Sequence, residues 1–154
     1  MAKIEFEVAA IYYACHDIIG IKEYFDEIPQ DFIVPCIYFP PPEVVGGAYS
    51  SSAYKSTFTM FAKVFSKTSL EASKYVSEIL QSISKLKNKV ALVDESGNKT
   101  GVYLRLENLK SNKVDDGVYQ IEFTWKRYTS FMVDEITRAR DFYFNGTRIQ
   151  MEEE

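Results

Sequence analysis

The chain has 154 residues, a length that suits one domain, and 46% of them are apolar, which is typical of globular proteins rather than disordered chains. Its net charge of −4 argues against nucleic acid as the main partner, because phosphate binding usually requires a basic surplus. The sequence contains neither an apolar run of the roughly 20 residues that span a bilayer nor a secretion signal. We therefore expect a single domain over residues 1–154, made in the cytoplasm, with no membrane partner and no sequence-specific binding to nucleic acid.

The first predicted elements are a helix and a strand. In residues 4–22, apolar side chains recur at steps of three or four, which predicts an amphipathic helix. The acid-rich stretch that follows, with Pro29, ends this pattern. Residues 32–39, FIVPCIYF, are β-branched and aromatic and predict a strand, in which Pro35 favours an edge position or a bulge.

A long segment, residues 40–53 with the sequence PPPEVVGGAYSSSA, separates this strand from the next. Three prolines stiffen the chain, and a glycine pair and three serines then allow it to bend. Loops of this length without structure are uncommon in compact domains and are often functional. We interpret residues 40–53 as an arm whose apolar side chains find their partner in another subunit. A mobile surface hairpin without a partner is the alternative.

Two regular elements follow the arm. Residues 54–65 alternate between two faces, which predicts a strand. Its predicted inward face consists of Tyr54, Ser56, Phe58, Met60, Ala62 and Val64. Thr68 and Glu71 then form a capping box at the start of an amphipathic helix that stops near Asn88. The single apolar stripe of this helix requires a sheet face to pack against.

The predicted elements after this helix are a hairpin and a strand. The hairpin pairs Val90–Val93 with Val102–Leu106 across a turn at Glu95–Thr100, and Gly97 and Gly101 are free to adopt a positive φ. Residues 110–117, KSNKVDDG, are polar and predict a connection. Residues 118–128 alternate again and predict the next strand.

The C-terminal part combines aromatic and basic residues and is predicted to turn at Asn145–Gly146. We expect the acidic residues 150–154 to be mobile. The order of elements predicts an α+β fold: a two-layer sandwich in which an N-terminal helix and a central amphipathic helix pack on a mainly antiparallel β-sheet.

Residue types that carry catalysis are scarce. His16 is the only histidine, which excludes a multi-His metal site, and its neighbour Cys15 points elsewhere on a helix. A nucleophilic dyad would require Cys36 to be brought to His16 by folding. We expect no catalytic site, no metal and no cofactor, and interpret both cysteines as buried, reduced thiols.

A resemblance to a known family lies in three stretches of the sequence: DFIVPCIYFPPPEVV, FTMFAKVFSKTSLEASKYVSEILQSISKLKNKVALVDESGNKTGVYLRL and DDGVYQIEFTWKRY. In the order of these elements and in the types of residue within each of them, the segment from about Tyr24 to Phe131 resembles the tail terminator, or tail-to-head joining, proteins of long-tailed bacteriophages. The resemblance implies a non-catalytic structural protein of the virion, located at the head–tail junction.

The resemblance also implies partners. Such proteins can be monomeric alone, and they assemble as a homo-oligomeric ring, typically of six copies, that caps the tail tube and stops its polymerisation. The expected partners are therefore other copies of the chain, the tail tube protein and the head connector protein.

The residues that we predict at a subunit or partner interface come from the arm and the C-terminal part, because aromatic side chains and Arg are enriched in protein interfaces. They are Phe39, Pro40, Pro41, Pro42, Val44, Val45, Tyr49, Tyr54, Arg138, Arg140, Phe142, Tyr143 and Phe144. Two alternatives stay open. One is a cytosolic ligand-binding or small enzymatic α+β domain with residues 40–53 as a lid over an aromatic pocket. The other is a different head or tail completion protein.

Overall fold

The computed structural model describes residues 4–131, 142–144 and 147–149. In chain order the elements are α1 (Ile4–Ile19), β1 (Lys22–Phe25), β2 (Cys36–Phe39), β3 (Glu43–Ala48), β4 (Ala53–Phe65), α2 (Ser69–Lys85), β5 (Lys89–Val93), β6 (Lys99–Asp115), β7 (Val118–Ser130), β8 (Phe142–Phe144) and β9 (Thr147–Ile149). Residues 150–154, expected from the sequence to be mobile, lie outside this description.

The first seven strands form one sheet in the spatial order β1-β2-β4-β7-β6-β5, and β3 pairs with β4 as well. Within the described strands only β1 and β2 run parallel, and the other pairs are antiparallel. The two helices and this mainly antiparallel sheet confirm the α+β class. The two-layer sandwich and the single domain over residues 1–154 stay predictions.

The N-terminal helix is shorter than the sequence predicts, because α1 ends at Ile19 rather than at residue 22. Gly20 has a φ of +56°, a left-handed conformation that glycine adopts without strain, and its N–H donates to the carbonyl of His16 at 2.9 Å. Lys22–Phe25 then form β1, which sequence analysis missed because these four residues show no alternation of apolar and polar side chains.

The strand predicted over residues 32–39 is also shorter in the structure. β2 begins at Cys36, directly after Pro35, and it pairs with β1 on one side and with β4 on the other. Proline lacks the N–H that a sheet ladder needs on both sides of a central strand, so the strand starts only after it.

The two most regular predicted elements are confirmed. β4 and α2 lie where the sequence places them, and the Thr68 side chain accepts a hydrogen bond from the backbone N–H of Glu71 at 3.2 Å. The buried residues of α2 are Ala72, Val76, Ile79 and Ile83, which all belong to the predicted stripe. The helix contacts β4, β6 and β7, so the sheet face that its stripe requires is present.

The polar stretch 110–117 is mostly strand, contrary to its prediction as a connection. β6 continues to Asp115 and pairs with β7, and only Asp116 and Gly117 make the turn. Most side chains between Lys110 and Asp115 are exposed, because this part of β6 is an edge of the sheet. A strand that buries neither face has no apolar alternation for a sequence pattern to detect.

One hydrophobic core joins both helices to the sheet. Its largest fully buried side chains include Trp125, Phe39, Phe123, Ile11, Ile37 and Met60. On β4, burial begins only at Phe58: Tyr54 is exposed and Ser56 is half-buried, although both were predicted to face inward. The first residues of β4 therefore extend beyond the core.

Gly117 makes the turn between β6 and β7, and we expect its replacement by Ala to destabilise the fold by about 2 kcal/mol. Its φ is +73°, and an added Cβ would lie 2.5 Å from the carbonyl oxygen of Ser66. The surrounding backbone is held in place, since the Ser66 N–H donates to the Gly117 carbonyl at 2.8 Å. Urea unfolding of the purified protein measures the loss.

Gly101→Ala is the matched control for this substitution. Gly101 also has a positive φ, of +82°, but an added Cβ would meet nothing within 4 Å. Its replacement therefore carries only the conformational penalty of about 1 kcal/mol. Equal losses at the two positions would contradict the role assigned to the close approach at Gly117.

Candidate assembly surface

Three strands form an exposed ribbon at one end of the sheet. The ribbon consists of β3, the first half of β4 (Ala53–Thr59), the residues 49–52 that join these two strands, and the end of β7 (Thr124–Ser130). β4 lies in the middle: Ala48 pairs with Tyr54 on one side, and Thr129 pairs with Tyr54 on the other. We call this structure the ribbon.

Within the segment predicted as an arm, residues 43–48 form β3, which is the edge strand of the ribbon. β2 and β3 both pair antiparallel with β4 along the same side, so residues 36–48 follow one edge of it. Tyr38 lies opposite Lys63, and Glu43 lies opposite Thr59. The four residues 39–42 therefore face only three residues of β4, 60–62. The three prolines occupy this bulge, where a missing N–H disrupts the ladder least.

Large apolar side chains stand exposed on the ribbon. Val45 is 67% exposed and Tyr49 is 60% exposed. The Tyr49 ring lies 4.7 Å from the Tyr128 ring, and the Tyr54 ring lies 5.7 Å from the Phe131 ring, measured between centroids. Groups of exposed apolar side chains mark interaction sites more often than single exposed ones do.

A buried ion pair attaches the base of the ribbon to helix α1. The Glu7 carboxylate is 4% exposed and accepts from Arg127 through Nε at 3.0 Å and Nη2 at 2.7 Å. It also accepts from the indole Nε1 of Trp125 at 3.0 Å. Phe58 stacks on Trp125 at 5.4 Å, and the Arg127 guanidinium lies 5.2 Å from the Phe58 ring. The carboxylate thus fixes the ribbon on the domain.

Both edges of the ribbon are open in the part of the chain that the structure describes. β3 pairs with β4 only, so its outer edge presents unpaired backbone groups. β6 pairs with β7 only as far as Leu106, opposite Trp125, and before that point β6 pairs with β5. After Trp125, β7 therefore pairs with β4 on one side, and no described strand pairs with it on the other side.

The structure places the predicted interface residues in different surroundings. Val44, Val45, Tyr49 and Tyr54 are exposed on the ribbon, and Pro41 is exposed between two half-buried prolines, Pro40 and Pro42. Phe39 is fully buried in the core, since it ends β2 on the side that faces the helices and packs on Tyr12 at 4.6 Å. Phe39 offers no surface to a partner, which corrects its assignment.

The assignment of the C-terminal residues to an interface stays a prediction. Arg138 and Arg140 lie outside the described residues. Phe142, Tyr143 and Phe144 form β8, which pairs with β9, and their side chains lie outside the description. The pairing of Phe144 with Thr147 places the ends of the two strands on either side of the predicted turn at Asn145–Gly146.

The residues with catalytic potential are held in structural contacts. The His16 Nδ1 lies 3.0 Å from a Glu23 carboxylate oxygen, and Cys15 and Cys36 are both buried and free. Burial raises the pKa of the Cys15 thiol, and it raises the pKa of Cys36 to about 11. No hydrogen bond joins His16 to either thiol among the described residues, where no cluster of metal-ligating side chains occurs either.

We expect both thiols to react slowly with iodoacetamide at pH 8 in the folded protein. Only the thiolate is the nucleophile, and a raised pKa keeps the thiol protonated until the pH approaches that pKa. Alkylation in urea, compared with alkylation in buffer, should be faster by more than about tenfold. Fast labelling of the folded protein at pH 8 would contradict the burial of these side chains.

Residues 40–53 contact one of the described cavities, through two prolines. A groove of about 420 Å³ runs between α1, the end of α2 and the β5–β6 hairpin, and its lining includes Tyr13, Leu86 and Tyr103. Pro41 and Pro42 line a smaller hollow of about 260 Å³ beside Tyr12. Apart from these two prolines, residues 40–53 line none of the described cavities, so the geometry does not favour the arm as a lid over an aromatic pocket. No described helix is both long and apolar enough to cross a membrane.

Comparisons with known proteins give two relatives from Bacillus subtilis strain 168. The chain is 30% identical over 110 residues to the uncharacterised protein YqbJ, covering 71% of this chain and 76% of YqbJ. It is 30% identical over 106 residues to the phage-like element PBSX protein XkdJ, covering 69% of this chain and 73% of XkdJ. No protein-family model matches the sequence.

Among solved structures, the chain is similar to a chain in the virion of a native gene transfer agent particle. The two are 14% identical, with a TM-score of 0.47 over 84% of this chain and 98% of the other. A likeness this distant supports no inference about function. The sequence relationships do establish membership, and the chain belongs to the family that includes YqbJ and the PBSX phage-like element protein XkdJ.

Proposed function

We propose that the chain is a non-catalytic structural protein of a phage particle that closes the end of the tail tube as a ring and joins the tail to the head connector. The observation that carries the proposal is the relationship to XkdJ, a protein of a phage-like element, across most of both chains. The resemblance of residues 24–131 to tail terminator proteins supports the position at the tail end and a ring of six copies.

The ribbon supports an assembly role. A cyclic ring requires two different surfaces on each copy, because every subunit contacts one neighbour through each of them. The ribbon presents open backbone edges on two sides, together with exposed Val44, Val45 and Tyr49. Such apolar groups gain little in water and much in contact with another protein surface.

Two further partners follow from this position. One end of the ring contacts the tail tube protein and the other contacts the head connector protein. The copies are monomers before they meet the tube, because the tube end brings them together and raises their effective concentration.

Deletion of the gene from the phage element that encodes it tests the proposed function. Electron microscopy should show tail tubes of uncontrolled length and heads that carry no tails. Expression of the protein from a plasmid should restore normal particles. Joined tails of normal length in the deletion strain would contradict the proposal. Tails of normal length that fail to join heads would instead support a different completion protein.

A further inference from the structure

The two open edges of the ribbon run in the same direction. β3 and β7 are each antiparallel to β4, so they are parallel to one another on its two sides. When a second copy is placed beside the first with β3 against the end of β7, the two strands run parallel and the ribbon continues without reversal. Repeated contacts of this kind are head-to-tail, and they form a closed ring when the rotation from one copy to the next completes a circle.

The outer strand lacks the features by which proteins usually protect an exposed edge. Such edges commonly carry proline, or a charged residue such as lysine, and both discourage pairing with another chain. In β3 the only charged residue is Glu43, and the residues that follow are Val44, Val45, two glycines and Ala48. All six residues of β3 are exposed, so the strand is an open template for pairing.

The charges at the two edges match in the parallel arrangement. Glu43 begins β3, and Lys126 begins the part of β7 that has no described β6 partner. Parallel pairing from these starting points places Glu43 beside Lys126, which also contacts Glu107 of its own chain at 2.6 Å. The uncharged Val45 then lies beside Tyr128. An antiparallel contact along the same edge would turn the second copy over, so that Glu43 would point to the opposite face of the sheet from Lys126.

We propose that the outer edge of β3 in one copy pairs in parallel with the end of β7 in the next copy, so that the ribbons join into one continuous sheet around the ring. The proposal rests on the ring of the proposed function and specifies its subunit contact. Backbone hydrogen bonds supply the contact, and the exposed Val45 and Tyr128 side chains cover one face of it.

Disulfide cross-linking in assembled particles tests this contact. Particles are produced with the double variant Val45→Cys/Tyr128→Cys and oxidised, and the protein is run on a denaturing gel without reductant. Within one copy the two positions are separated by β4 and lie about 10 Å or more apart, beyond the reach of a disulfide. Bridges between neighbours should therefore produce multiples of the 17.7 kDa chain.

Matched variants control for the face and register of the contact. Val44→Cys/Tyr128→Cys places the thiols on opposite faces of the sheet and should not form the ladder. Gly47→Cys/Tyr128→Cys tests a register shifted by two residues, at a glycine where an added Cβ meets nothing within 4 Å. Buried Cys15 and Cys36 do not contribute, and the wild-type chain verifies this.

Each outcome of the cross-linking experiment either supports the contact or overturns it. A ladder from either same-face pair supports it. The single variant Val45→Cys can bridge only two Val45 positions, so dimers from it would indicate that β3 pairs with β3. Particles that contain the protein but give only monomers, or that give dimers from this single variant, overturn the parallel contact and leave the ring function standing. Wild-type particles that lack the protein overturn the proposed function itself.

Discussion

The Glu7→Ala variant is expected to lose about 3–4 kcal/mol of folding free energy, because it leaves a charged and a polar donor without their acceptor in the interior. The Arg127 guanidinium and the Trp125 indole both donate to this carboxylate. Arg127 is only 23% exposed and cannot recover full hydration without moving. Urea unfolding of the purified protein, followed by Trp fluorescence, measures the change.

Glu5→Ala is the matched control, since Glu5 occupies the same first turn of α1 and is exposed. Its replacement should change stability by less than about 0.5 kcal/mol. A loss at Glu7 no larger than the loss at Glu5 would contradict the structural role of the carboxylate.

A double-mutant cycle would separate the interaction energy of the Glu7–Arg127 pair from the cost of burying each charged side chain. Glu7→Gln leaves a buried guanidinium without its counter-charge, while Glu7→Gln combined with Arg127→Met removes both charges. Replacement of a buried pair by apolar groups often costs less than the removal of one partner. The double variant should therefore be more stable than the sum of the single losses predicts.

The Val45→Lys variant is expected to fold normally and to fail in assembly. The side chain is 67% exposed in the monomer, so a lysine costs less than about 0.5 kcal/mol of folding free energy. In the ring the ammonium group would have to lose water at every subunit contact, and lysine at a strand edge opposes pairing. A loss of about 1.4 kcal/mol at each contact weakens each one tenfold.

Particle yield and circular dichroism measure the two halves of this prediction. We expect a fall of more than about tenfold in joined particles, with an unchanged melting curve for the monomer. Val45→Thr retains strand propensity without charge and should assemble. Leu70→Lys adds the same charge at an exposed position of α2, away from the ribbon, and should also assemble. Normal yield from Val45→Lys would show that β3 lies outside the subunit contact.

The regular elements were predictable because burial imposes a period on them. α2 places one apolar stripe against the sheet, and β4 buries every second residue from Phe58 to Val64. The edge strands β1 and β3 bury little, and their pairing depends on backbone groups and on which strand lies beside them. Glycine and proline in residues 40–48 therefore indicated a loop, although the partner strand β4 holds Glu43–Ala48 in the sheet.

Sequence analysis missed the buried ion pair between Glu7 and Arg127, although the sequence contains a signal for it. Glu7, Ile11 and Cys15 lie four residues apart and share the buried stripe of α1. An acid on an otherwise apolar stripe requires a partner, and the alternation of β7 places Trp125 and Arg127 on one face. The partner could not be chosen from the sequence, because 118 residues separate Glu7 from Trp125. The exposed Val44, Val45 and Tyr49 were identified from composition alone.

A cryo-electron microscopy reconstruction of the tail end of assembled particles tests the central claim most directly. We predict a closed ring of copies of this chain, with β3 of each copy beside the end of β7 in its neighbour. A ring whose ribbons project into solvent without touching another copy, or a particle whose tail end contains no copy of the chain, would contradict the account.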